Sequence, residues 1–138
     1  YRLQTSEIWR RVVQISLLLA IGTGGFIGAI LRFLISGWVQ KLFPLLFPVG
    51  TLSVNVIGSF IIGFAALYFE QVIAPHQKAL VITGMLGALT TFSTFSLETV
   101  TMLQGGLWGR AFANVTLNAL LCLAATVAGM VLFKRLYG

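Results

Sequence analysis

Five hydroxyl side chains fall within the seven residues Thr90-Thr91-Phe92-Ser93-Thr94-Phe95-Ser96, and two glycines, Gly84 and Gly87, precede them. In an apolar medium each hydroxyl needs a partner, because an unpaired polar group there is costly. Serine and threonine can donate back to the preceding helical turn, which accounts for one or two of the five. A run this polar beside two glycines predicts a helix broken or locally unwound near Gly87 to Thr91. Freed carbonyls at such a break can hold a cation, and freed N–H groups can face an anion. Phe92 and Phe95, spaced i, i+3, share one face of the following helix. They read either as core or lipid-facing rings, or as electropositive ring edges that attract an anion without a trapping charge.

Two further polar stripes lie at helical spacing. Thr51, Asn55 and Ser59 form one, and Asn114, Asn118 and Cys122 form the other. Interhelical hydrogen bonding and a polar conduit explain them equally well. Arg32 follows Gly24 and Gly28 along one helical face, as a snorkelling anchor or as a buried charge that favours anions. Glu98, one turn after Thr94, is the one carboxylate expected within a span, since Glu70 sits at a span end. Cys122 has no second thiol to pair with, and His76, beside Pro75, has no metal-ligating neighbour and reads as solvated.

The elements that must carry these residues follow from composition. The 138 residues are 58% hydrophobic and 9% charged, with a mean hydropathy of +0.98. Such a surface is stable only in lipid. The predicted fold is an all-α integral membrane protein with four transmembrane helices, over about Val12–Val39, Gly50–Phe69, Lys78–Leu103 and Leu107–Phe133. The third of these carries the predicted break. Loops are short, so consecutive helices are antiparallel neighbours, and a soluble catalytic or nucleotide-hydrolysing module is excluded. The Gly24/Gly28 pair gives span 1 a face for close helix approach. Trp38, Trp108 and Tyr137 suit the membrane interface.

Residues 1–11 read as a charged leader, frayed or interfacial, and 12–138 as the transmembrane domain; no cleavable signal peptide is expected. The net charge of +6 is scattered at span ends and does not form a nucleic-acid patch. With the N-terminus cytoplasmic, Arg2, Arg10, Arg11, Lys78, Lys134 and Arg135 lie inside, against Lys41 and Arg110 outside. The positive-inside rule favours that orientation.

The pieces GGFIGAILR at 24–32, GTLSVNVIGSF at 50–60 and GMLGALTTFSTFSLE at 84–98 resemble the Fluc/CrcB fluoride channels, over nearly the whole chain past the leader. The resemblance implies an antiparallel, dual-topology homodimer in the inner (plasma) membrane, with two pores. It implies that Phe92 and Phe95 line the anion paths and that Asn55 donates a hydrogen bond within them. Thr51 and Arg32 match the family's span 2 threonine and span 1 arginine. Thr94, Ser96 and Glu98 match its polar track near the vestibule, and Asn118 a polar position of span 4. A structural Na⁺ at the dimer interface is implied, held by backbone carbonyls of Gly87 and Thr90 from both subunits. Two features depart from the pattern: Ala88 stands where the family usually has a second glycine, and the charge bias exceeds the near balance of dual topology.

The expected function is passive electrodiffusion of fluoride, with no enzyme activity. Fluoride is small and tightly hydrated, so donors must replace its water at each step. The rival is a four-helix proton-coupled multidrug or cation exporter using Glu98; a non-conducting scaffold is a third class, which leaves the TTFSTF run unexplained.

Overall fold

The computed structural model describes residues 2–138 and, among them, contains helices and no strand. Four helical segments are long and apolar enough to cross a membrane. Helix α1 runs Arg2–Leu42 and α2 runs Val49–Gln71. The third span, Pro75–Gln104, is a composite. It comprises α3 (Pro75–Lys78), a π-helical stretch Ala79–Leu86, α4 (Gly87–Leu89) and α5 (Phe92–Gln104). Helix α6, Trp108–Tyr137, is the fourth span.

Of the two expectations for the leader, the frayed one does not hold. From Arg2 onward it continues the helix of span 1 and is not frayed; Tyr1 lies outside the described residues. At 1.5 Å per residue, 41 residues reach about 60 Å, twice the roughly 30 Å hydrocarbon core. Part of α1 therefore stands beyond the lipid. His76, exposed as expected, is also within 2.7 Å of the Ser16 hydroxyl, which ties the start of the third span to α1.

Glycine sets the packing. A Cβ on Gly24 would strike the Leu80 carbonyl, and one on Gly28 the Met85 carbonyl. The Gly24/Gly28 face thus lets α1 lie backbone to backbone against the π-helical stretch. Gly63 and Gly129 do the same between α2 and α6, against the carbonyls of Thr126 and Phe60 respectively. Phe64 and Phe133 close that pair edge to face, with centroids 5.3 Å apart.

Few side chains are fully enclosed. Val54, Leu86 and Leu89 form the buried apolar cluster, where α2 meets the third span. Large apolar residues such as Phe33 and Phe112 face outward, which is stable where the surroundings are lipid.

Candidate functional site

The third span breaks at two residues. Thr90 (φ −82°, ψ 152°) and Thr91 (φ −148°, ψ 113°) are extended, between helices on either side. The expected break near Gly87 to Thr91 is present, at the C-terminal end of that interval. Ala88 remains helical within α4. The widened π-helical turns just before the break are a local irregularity of the kind often found at functional sites.

Side chains replace the missing helical bonds. The Thr91 N–H donates to Asn55 Oδ1 at 2.8 Å, and Asn55 Nδ2 donates to the Thr91 carbonyl at 3.3 Å. Thr91 is the N-cap of α5: its hydroxyl oxygen accepts from the Thr94 N–H at 3.1 Å and donates to Thr94 Oγ1 at 2.9 Å. These bonds free two carbonyls. In a continuous helix, Thr91 N–H would serve the Gly87 carbonyl and Thr94 N–H the Thr90 carbonyl. Both donors are turned to side chains instead.

A polar chain leads on from Asn55. Its Nδ2 donates to Asn118 Oδ1 at 3.2 Å. Asn118 Nδ2 donates to Asn114 Oδ1 at 3.0 Å, and Asn114 Nδ2 to Thr99 Oγ1 at 2.9 Å. Thr99 donates in turn to the Phe95 carbonyl at 2.7 Å. Asn114 is 1% and Asn118 7% exposed, so these bonds form where no water competes and every member is high-stakes. The two polar stripes are therefore joined across α2, α5 and α6.

One cavity of about 750 Å³ gathers most of the expected residues. Asn55, Gly87, Thr90, Phe92, Phe95 and Asn118 all line it, with Ser59 and Cys122 further along the same wall. Phe92 is 79% exposed at its open side. Phe95 is half-buried, its ring centroid 5.4 Å from that of Phe92 at 50°. A single chain leaves this cavity without a complete wall.

The other expected residues lie elsewhere. Thr51 is buried and donates to Glu98 Oε1 at 2.7 Å. Glu98 lines a second cavity, of about 400 Å³, while its Oε2 is buried with no hydrogen-bond partner. Thr94 lines neither cavity and serves as the partner of Thr91. The Ser96 hydroxyl donates back to the Phe92 carbonyl at 2.9 Å and is self-satisfied. Arg32 is half-buried on α1 and lines neither cavity.

Read from the sequence, Thr91 is one hydroxyl among five, and Thr99 is passed over. The spacing Thr91-x-x-Thr94 is a helix-start signal that marks the first, and the second faces Asn114 from another helix, which spacing along one chain does not reveal. Among the described residues no three His, Cys, Asp or Glu side chains are grouped to hold a metal.

Known proteins place the chain in a family. The family described as "CrcB-like protein, Camphor Resistance (CrcB)" matches residues 19–130. Over 122 residues the chain is 84% identical to a "Fluoride-specific ion channel FluC" of a Sulfurovum species, covering 88% of this chain and 97% of that one. A protein of the same name from a Nitratiruptor species is 63% identical over 89% of this chain and 96% of its own length. A third, from Shewanella woodyi, is 49% identical over 86% and 98%. With four spans, a broken third helix and these relatives, the protein is a multi-pass membrane protein and belongs to the CrcB family.

Proposed function

We propose that the chain is a fluoride channel subunit of the inner membrane, exporting F⁻ passively down its electrochemical gradient and so limiting fluoride toxicity. The observation that carries this reading is the neutral, largely apolar wall built at the helix break, where the carboxamides of Asn55 and Asn118 and two phenylalanine rings share one cavity. The names of the relatives support the same ion.

Fluoride holds its water tightly, so a pathway must offer donors in series with no deep trap. Asn55 and Asn118 are linked by a bond of 3.2 Å. An anion that displaces Asn118 Oδ1 from the Asn55 Nδ2 N–H exchanges that neutral bond for a stronger charge-assisted one. The edges of Phe92 and Phe95 add attraction and exclude water. On this reading the Thr51–Glu98 pair continues the polar track toward the second cavity, Thr94 and Ser96 lie along it with their hydroxyls bonded within the third span, and Arg32 contributes a positive charge from span 1. The interior-negative membrane potential drives the anion outward.

The unfinished wall of the large cavity favours a dimer. A second, antiparallel copy supplies the missing wall and makes two pores, one on each chain's phenylalanine face. Gly87 and Thr90, whose carbonyls lose their helical donors at the break, are among the residues that line that cavity. These carbonyls are hard oxygen donors, a set that suits Na⁺, and two chains together provide four. Bound there, Na⁺ would supply a fixed positive charge and hold the two breaks together.

The exporter reading has one observation in its favour, the unpartnered Glu98 Oε2. One experiment separates the two. Purified protein in liposomes loaded with fluoride is expected to release it rapidly once a K⁺ ionophore balances charge, without proton coupling and without transport of organic cations. Liposomes that keep their fluoride overturn the channel reading, and Glu98-dependent organic cation efflux establishes the exporter.

A further inference from the structure

The loop joining the first two spans roofs the second cavity. Its walls include Gln40, Leu46 and Pro48 on one side and Glu98, Thr101 and Met102 on the other. The roof segment is Phe43-Pro44-Leu45-Leu46-Phe47-Pro48, almost wholly apolar, with Leu45 59% and Leu46 80% exposed. Its two prolines remove backbone donors, and its side chains favour the nearest apolar surface, including the cavity beneath them.

One side chain fixes where this roof stands. Gln40 Nε2 donates to the Leu45 carbonyl at 3.2 Å and to the Phe47 carbonyl at 3.1 Å, and its Oε1 accepts from the Gly50 N–H at 3.1 Å. A carboxamide has two N–H donors and one acceptor oxygen; here the donors engage the loop backbone and the oxygen the first turn of α2. From the fourth span, Arg110 adds a longer contact, 3.4 Å to the Leu46 carbonyl. Glu98, on the facing wall, accepts a hydrogen bond from the buried Thr51 behind it.

We infer that Gln40 is a positioning residue for ion entry: its carboxamide holds the 43–48 roof off the cavity through which the anion reaches the Thr51–Glu98 pair from water. This rests on the channel reading above. Gln40 touches the roof and never the ion. Its loss lets the leucines settle into the mouth and slows entry, while the passage beyond, built by Asn55, Asn118 and the phenylalanines, is unchanged.

The experiment is fluoride efflux from liposomes carrying the full chain, measured over a range of fluoride concentrations. For Gln40→Met, which keeps the volume and removes all three bonds, efflux is expected to fall about fivefold or more at low fluoride and to approach the wild-type rate at high fluoride. A merely structural defect, with fewer working channels, lowers the rate equally at every concentration, and that result overturns the inference. In a second arm, Leu46→Cys is modified with a negatively charged methanethiosulfonate, with wild-type protein treated in parallel to report on Cys122. Slowed efflux specific to Leu46→Cys supports the cavity as the mouth, and an unchanged rate overturns it. The second arm decides where Gln40→Met fails to fold. Wild-type protein that releases no fluoride defeats the channel reading and this inference with it. A conducting wild type matched by Gln40→Met at all concentrations defeats this inference alone.

Discussion

The carboxamide of Asn55 hydrogen-bonds both backbone polar groups of Thr91, accepting from its N–H at 2.8 Å and donating to its carbonyl at 3.3 Å. One side chain on span 2 thus takes the place of the acceptor that the Thr91 N–H would have had in an unbroken span 3, and adds a second donor to a carbonyl that already takes the first bond of α5. The break is not a weak point left unpaired in the membrane. It is a specified feature whose partner is another helix, as backbone irregularity at this depth requires.

Removing that partner has two consequences. Asn55→Ala leaves the Thr91 N–H unpaired, at about 1–3 kcal/mol, and takes one of two donors from the Thr91 carbonyl. Asn55→Ala is expected to lower the melting temperature in detergent and to abolish fluoride efflux. Thr91→Ala, which removes the cap of α5, is expected to cost about 1 kcal/mol. Wild-type melting and efflux in Asn55→Ala would mean that the break holds itself open.

The phenylalanines separate function from stability. Phe92 is 79% exposed, so Phe92→Ile is expected to change stability by less than about 0.5 kcal/mol. Efflux is nonetheless expected to fall about tenfold or more, because an aliphatic side chain has no electropositive edge. Phe95→Ile, at a half-buried site, is expected to lose efflux and some stability together. If Phe92→Ile conducts normally, the rings have no part in the pathway.

Glycine substitutions in α1 test the packing. Gly28→Val drives a side chain into the Met85 carbonyl, whereas a Cβ at Gly22 meets nothing within 4 Å. Gly28→Val is expected to destabilise by about 1–3 kcal/mol, and Gly22→Ala to stay within about 0.5 kcal/mol of wild type. Thermal unfolding of the two variants side by side checks the contrast; equal effects would contradict backbone contact between α1 and the π-helical turns.

The proposed Na⁺ predicts a salt-specific stability. Protein exchanged from sodium into N-methylglucamine salts at equal ionic strength is expected to melt several degrees lower and to release monomer, since a ligand that binds only the folded dimer stabilises it by mass action. Identical melting and assembly in both salts would remove the ion from the account.

Much of this was readable in one dimension. A composition that tolerates only lipid as solvent dictates four apolar helices, and the loops are too short for other than neighbouring helices. The hydroxyl run beside Gly84 and Gly87 signalled a break because that many polar groups cannot be satisfied on one regular helix. The Gly24/Gly28 face signalled close packing, and a glycine surface has little other use inside a membrane. Which backbone it meets, the π-helical turn at Leu80 and Met85, is a matter of three dimensions.

The register of the break, at Thr90 and Thr91, was decided by tertiary structure, because it depends on where Asn55 of another helix presents its carboxamide. The same holds for the Asn118–Asn114–Thr99 chain, whose members come from two helices, and for the division of the polar residues between two cavities. Spacing along a helix determines which residues share a face. Only the packing of that face against its neighbour decides whether a polar side chain bonds its own turn, as Ser96 does, or a partner far away in the chain, as Thr51 does with Glu98.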